Sequence, residues 1–232
     1  MYDVALEHPT YGYRRLHRQL VHLYGQAAPG RHAVRHQLNE QHLTPVQPKK
    51  TRRPSPPILA VPLWPEGRRV QIDATRLSLP DGIAWVYVVL DVISRAVLHI
   101  EAVRQLSASS AVTALRQGVE VLRQVGSAEP VVVMSDGGSD FTSLIFGQAC
   151  QELGCWVRAK VSQPGGMGIL ERVNRTLKYE WIFREDIGSI AELREQCGRF
   201  REWYNRHRMH SALGYTYPWD KLLSSAKSLF AA

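Results

Sequence analysis

Asp73, Asp136 and Glu171 are the residues of this 232-residue chain whose types and positions could do chemistry together. Asp73 lies inside VQIDATRLSL, which reads as a strand. Asp136 follows the apolar run Val131–Met134, at what should be a strand's carboxyl end, and Glu171 opens ILERVNRTLKYEW, which reads as a basic helix. A single acidic residue is more often a turn former or a solvated charge than a ligand. Asp73 differs because Val70, Ile72 and Ala74 surround it, and a carboxylate in an apolar strand is costly unless it is paired or metal-bound. The stretch from Asp136 to Glu171 is long enough for helix, strand and loop to return the chain to the same face. Three convergent carboxylates are hard oxygen ligands, suited to magnesium or manganese and to two-metal chemistry on phosphodiesters. The trio points to an enzyme that cuts or joins nucleic acid.

The elements that would position these residues can be read from periodicity. Val70 to Leu79 alternates as a strand, Pro80-Asp81-Gly82 supplies a turn, and AWVYVVLDV and AVLHIEAV make two further strands joined at Ser94-Arg95. A helix from about Ser107 to Val125 follows, with Val112, Leu115, Val119 and Leu122 on one face. PVVVMSD reads as a buried strand, residues 143–153 as a helix and CWVRAKV as a fifth strand. The Gly-rich loop 163–168 then leads into the Glu171 helix, and a last long helix spans about Ile190 to Asn205. A three-stranded meander that changes to strand–helix–strand implies a mixed sheet. The order β-β-β-α-β-α-β-α is the ribonuclease H-like layout: an α/β fold with a five-stranded mixed sheet flanked by helices and the first strand central. In that layout Asp73 is mid-sheet and Asp136 ends the neighbouring strand.

The expected organisation is a helical, helix-turn-helix-like region over 1–45, a basic Pro-rich linker over 46–67, the catalytic core over 68–189 and a C-terminal helical extension over 190–232. In the first region Tyr13, Leu16, Leu20 and Leu23 recur at helical spacing, and Val34, Leu38 and Leu43 suggest a second helix after Gly30. The linker alternates prolines with cations, Lys49, Lys50, Arg52 and Arg53 among them, and a tract of that composition packs no core. The net charge of +8 favours a polyanionic partner, most simply DNA or RNA. Three cysteines without ligand spacing read as reduced thiols. No run approaches a membrane span, so the expectation is a cytoplasmic, nucleoid-associated protein. Histidines 17, 22, 32 and 36 cluster early in the chain, but no cysteine lies near enough in sequence to build a zinc site with them. Asp91, four residues before Arg95, is expected to pair locally, and Asp140 to cap the helix starting near Thr142. Arg175 and Lys178, four and seven residues after Glu171, share its helix face and would grip phosphates.

Several motifs in order extend this reading. The chain resembles the catalytic, second-reading-frame subunit of the bacterial insertion-sequence family three transposases, which share the catalytic core of retroviral integrases. YGYRRLHRQL resembles that family's amino-terminal helix, QIDATRL its first-Asp strand, and YVVLDVISRAVL the hairpin that follows. SDGGSDFTS resembles the second-Asp motif, ERVNRTLKYEW the Glu helix, and YNRHRMHSALGYTYP the closing signature. The resemblance implies that Asp73, Asp136 and Glu171 form a catalytic DDE triad holding two Mg²⁺ ions (Mn²⁺ as the alternative). It implies cleavage at transposon ends, followed by strand transfer in which a 3′-OH attacks a phosphodiester. Expected partners are double-stranded DNA, both ends and target, a second copy of the chain in a synaptic complex, and an upstream first-frame helix-turn-helix subunit. Arg14, Arg15, Arg18 and Arg172 join the linker cations, Arg175 and Lys178 as expected DNA contacts. Three departures from the family pattern stand out. Asp140 replaces the usual Gln, the interval from second Asp to Glu is one residue short, and PGGMGI stands where NPYDNA is common. Two rival readings remain: a non-catalytic DNA-binding partial subunit, and a metal-dependent nuclease that cleaves without joining.

Overall fold

The structure, a computed structural model, describes residues 1–45, 67–127, 130–159 and 167–227. The chain forms two compact units: Met1–Ser55 with Met209–Thr216, and Pro56–Arg208 with Tyr217–Ala232.

The larger unit is built on a five-stranded mixed sheet of order β3-β2-β1-β4-β5. The strands are β1 (Arg68–Leu79), β2 (Gly82–Asp91), β3 (Val97–Val103), β4 (Val131–Ser135) and β5 (Gly154–Arg158). A tight hairpin joins β1 to β2, with Gly82 at φ +125°, a conformation that excludes most side chains. β3 adds antiparallel to β2, whereas β4 and β5 run parallel to β1. Parallel pairing needs crossovers, and helices α4 (Ala108–Gln124) and α5 (Leu144–Leu153) provide them. The ribonuclease H-like expectation holds, with β1 central.

Both faces of the sheet are covered, which is why β2 reads as an almost unbroken apolar run. On one face Tyr87, Val89 and Leu98 pack with Leu115 and Val119 of α4 and Phe146 of α5. Gly118 lets α4 lie close, since a Cβ there would meet Val89 Cγ1 at 2.5 Å. On the other face Val86, Val88 and Leu90 meet Leu170 and Val173 of α6 (Gly168–Thr176), and Leu193, Cys197, Phe200 and Tyr204 of α7 (Ile190–Arg206). The Asn205 amide closes the edge, accepting from the Val97 N–H and donating to the Val97 carbonyl, both at 2.9 Å. α8 (Pro218–Lys227) buries Leu222 in the first cluster.

The smaller unit holds α1 (Tyr2–Glu7), α2 (Tyr13–Tyr24) and α3 (Arg31–Glu40), with a 3₁₀ turn at Gly25–Ala27. Leu16, Leu20, Val34 and Leu38 are buried.

Four local expectations need correction. α1 was not anticipated, because six residues are too few to show a period. Leu23 is half exposed and Leu43 lies beyond the end of α3, so neither belongs to the stripes assigned to them. The Glu171 helix is not regular throughout: it passes at Leu177–Trp181 into a π-helical turn and at Ile182–Arg184 into a 3₁₀ turn. Asp91 does not take Arg95 as its ionic partner. It is fully buried and receives two hydrogen bonds from Arg68, at 3.0 and 2.9 Å, with two more from the amide and hydroxyl of Ser94. The linker cations Lys49, Lys50, Arg52 and Arg53 lie outside the described residues.

Candidate active site

The parallel register of β1 and β4 pairs Gln71 with Met134. Asp73 lies two residues further along β1 and Asp136 two residues further along the chain, just beyond the end of β4. The two carboxylates feel each other. Asp73 is pushed up to about 6, first by burial and then by the charge of Asp136, with a smaller contribution from Asp140. Opposing this, the Ala74 N–H donates to Asp73 Oδ1 at 2.8 Å and the Asn174 side-chain amide donates to Oδ2 at 2.8 Å. Two neutral donors do not offset desolvation plus like charge.

Beyond β4 the chain turns sharply. The Asp136 Oδ1 accepts from the Gly138 N–H at 2.9 Å. A side chain at 138 has no room, because its Cβ would stand 2.7 Å from Asp140 Oδ1 and 3.2 Å from Asp136 Oδ1. Asp140 does not cap α5; Ser143 does, accepting from the Phe146 N–H. Asp140 is instead buried against the sheet, where the Tyr87 hydroxyl donates to its Oδ2 at 2.7 Å. Burial and this acidic neighbour raise the Tyr87 phenol well above its usual range, so it stays a donor. The Arg158 guanidinium sits against Gly137.

On the far side, α6 is registered on β1 by two matched contacts. The Leu170 N–H donates to the buried Gln71 Oε1 at 3.1 Å, and Asn174 reaches Asp73. Two residues along a strand and four along a helix cover nearly the same length, about 6–7 Å. One stripe of the helix therefore keeps pace with one face of β1. Lys178 continues that stripe; burial lowers its pKa while the charge of Asp73 opposes the shift.

Asp73 and Asp136 thus come together, with Asp140 close behind. Glu171 stands one turn before Asn174, exposed, on the flank of the stripe. Among the described residues no group of three His, Cys, Asp or Glu side chains is gathered tightly enough to hold an ion. The donor chemistry still fits a hard divalent cation: two adjacent carboxylates, one under electrostatic strain that a cation would relieve. Of the expected phosphate-gripping residues, Lys178 faces Asp73, Arg175 is half-buried and Arg172 is exposed. In the smaller unit Arg14, Arg15 and Arg18 lie 5.5, 4.9 and 5.2 Å over the rings of Tyr13, Tyr11 and Tyr215. A cavity of about 470 Å³ between Trp181, Trp203, Glu185 and Glu202 includes none of the expected site residues.

Sequence reasoning overlooked Asn174, Gln71 and Tyr87. The first two were within reach. Asn174 lies three residues after Glu171, on its helix face, and Gln71 lies two before Asp73, on its strand face. Nothing in the sequence links Tyr87 to Asp140.

Two family models, each described as integrase core domain, match residues 66–165 and 155–218. No curated protein matches the chain in sequence. Solved structures of similar fold include the HTLV-2 integrase catalytic core domain in complex with magnesium, at 16% identity and TM-score 0.51, covering 66% of this chain and 93% of that one. The catalytic core domain of BIV integrase is similar at 18% identity and TM-score 0.52, covering 70% and 97%. The simian T-cell lymphotropic virus intasome, in complex with PP2A regulatory subunit B56 gamma, is similar at 18% identity and TM-score 0.54, covering 94% and 74%.

Proposed function

We propose that this chain, a member of the integrase core superfamily, is a DDE-type DNA transposase that cleaves at element ends and joins the freed 3′-OH to a target phosphodiester. One observation carries the reading: Asp73, midway along the central strand β1, feels the charge of Asp136, which follows the end of β4, and burial together with that charge pushes its carboxyl up to about 6. A divalent cation shared by the two carboxylates would relieve the like charge that destabilises Asp73, and carboxylates perturbed in this way cluster at functional sites.

Asp73 and Asp136 would hold a magnesium ion, with Glu171 supplying the third carboxylate from the flank of α6. Bound magnesium would polarise the scissile phosphate and lower the pKa of the attacking water or 3′-OH. Asn174 holds the Asp73 carboxylate in one orientation, and Gln71 fixes the start of α6 against the same strand. Tyr87 keeps Asp140 turned toward the sheet, so that its charge adds to the local negative potential without leaving the core. Lys178, Arg175 and Arg172 would position the phosphates of the substrate strand beside the carboxylates. The proposal extends to a dimer or higher assembly, since two ends must be held together, and to an upstream first-frame subunit as partner.

The test is a strand-transfer assay on a labelled duplex carrying the source element's end, with magnesium or EDTA, for wild type and Glu171→Gln. Joined products that require both magnesium and Glu171 support the proposal. Nicks without joining point to a plain nuclease, and binding without product points to a partial subunit; either outcome overturns it.

A further inference from the structure

We propose that Arg69 and Arg95, where β1 begins and the β2–β3 turn folds back, form an oxyanion site that takes a phosphate group of the DNA backbone. The inference rests on the transposase reading for its ligand, and it gives the same substrate a second point of grip, away from the carboxylates.

The turn between β2 and β3 contributes nothing to the carboxylate site, yet its backbone is unusual. Arg95 stands there at φ +63°, a left-handed conformation that glycine and asparagine enter far more readily than arginine does. Main-chain bonds hold the turn: the Arg95 N–H donates to the Asp91 carbonyl and the Asp91 N–H to the Ala96 carbonyl, both at 2.9 Å. Neither bond requires an arginine side chain. Strain kept at a position where the turn itself has no need of the side chain points to a use for that side chain.

The guanidinium is as uncommon as the backbone that carries it. Arg95 is half-buried, and its Nη1 is enclosed without a hydrogen-bond acceptor among the described residues. An ordinary surface arginine keeps all its N–H groups on water, and enclosed donors are nearly always bonded. The carboxylate nearest in sequence, Asp91, is already taken: Arg68 meets both of its oxygens, and the amide and hydroxyl of Ser94 meet one of them. Burial lowers the Arg95 pKa, with Tyr204 and Asp91 opposing the shift and Arg69 adding to it. A guanidinium keeps its proton in a protein all the same, so the group remains a cation.

Arg69 supplies the second cation. Its carbonyl accepts from the Val92 N–H at 3.0 Å, which sets the turn against the start of β1. Alternation along the strand puts Arg69 on the face of Gln71 and Asp73, the side on which Tyr204 of α7 packs. Its side chain is half-buried and has no bonded acceptor among the described residues. Two guanidinium groups within each other's field repel. An oxyanion shared between them relieves that repulsion and satisfies the enclosed donor, and the forked donors of arginine match the geometry of phosphate. Four residues of strand, about 13 Å, separate Arg69 from Asp73, so a phosphate held here is not the one at the carboxylates.

Two probes test this, both with the full chain in EDTA. Inorganic phosphate should raise the wild-type melting temperature by about 2–4 °C over chloride at equal ionic strength. A labelled random-sequence duplex is then titrated across a salt series. Arg95→Asn and Arg69→Gln should each bind it about three- to tenfold more weakly, with a salt slope shallower by about one, and each should lose the phosphate response. Without phosphate, Arg95→Asn should still melt at or above the wild-type temperature, because asparagine accepts the left-handed turn. An arginine kept only for packing would do the opposite, melting lower with duplex binding and phosphate response unchanged, and that result overturns the inference. A phosphate response lost in both variants while duplex affinity stays at the wild-type level marks a site for the free anion and overturns the DNA assignment. Because neither probe needs catalysis, the two proposals fail separately. Duplex binding that depends on both arginines in a chain that joins no strands refutes the transposase reading alone; joining by a chain whose duplex binding ignores them refutes this one alone.

Discussion

Two aspartates on adjacent strands meet opposite fates. Asp91, at the end of β2, is fully enclosed and receives four hydrogen bonds, two of them from the Arg68 guanidinium. Asp73, in the middle of β1, receives two neutral donors and faces two other carboxylates. The first is an ion pair, the second a carboxylate held by neutral donors against like charge. The contrast separates a carboxylate that holds the fold together from one that the fold keeps ready for something else, and it does so within one sheet.

The sharpest way to break the contrast is to neutralise each aspartate in turn. Asp73→Asn should abolish strand transfer, by at least about 1,000-fold if several kcal/mol of metal-dependent stabilisation disappear, while the metal-free protein becomes more stable in urea. Arg68→Met should do the reverse. Leaving Asp91 buried without its cation should cost ~3–5 kcal/mol in the same urea titration, with activity falling only as the folded fraction falls.

Magnesium sharpens the comparison further. At about one hundred times its dissociation constant, a ligand of the folded state adds ~2.7 kcal/mol. Thermal melts should rise with magnesium in wild type and in Arg68→Met, and stay put in Asp73→Asn. An unchanged wild-type melt would mean that the carboxylate pair does not take the ion.

pH gives a similar reading without metal. The folded Asp73 holds its proton up to about pH 6, whereas in the unfolded chain it loses it near the ordinary carboxylate value of 3.8. Between those values the folded state binds more protons, so stability falls as pH rises through the window, by ~1–3 kcal/mol in all, and then levels off. Urea midpoints measured from pH 4 to 7 in EDTA should show this slope for wild type and lose it in Asp73→Asn. The smallest expected effect is that of Tyr87→Phe: about 1 kcal/mol from one lost hydrogen bond to Asp140, read as a modest drop in the urea midpoint.

How much of this was legible in the sequence depends on the range of the interaction. Strands β1 to β5 and helices α4 to α7 could be read because their apolar periods are local and strong, and a meander followed by two crossovers leaves few ways to build a sheet. Asp73 stood out through its apolar neighbours, and Asp136 through its place after Val131–Met134. The cation that meets Asp91 and the hydroxyl that meets Asp140 were not legible, although the local pairing of Asp91 across its turn is met by Ser94. Arg68 is 23 residues from Asp91 and Tyr87 is 53 from Asp140, and both contacts depend on how the sheet and its helices pack. The π-helical turn after Thr176 carries no signal either, since LKYEW suits a regular helix equally well.

The paired contacts between β1 and α6 also bear on which length changes this chain can tolerate. Gln71 meets Leu170 and Asp73 meets Asn174, so the helix is keyed to the strand at two teeth, whatever the number of residues that lead up to it. A residue gained or lost ahead of α6 leaves the spacing of these two teeth alone. The same change between Leu170 and Asn174 would turn the rest of the helix by about 100°, disengage the second tooth and carry Lys178 away from Asp73. The four-residue spacing from Leu170 to Asn174 is therefore a length that α6 has to keep.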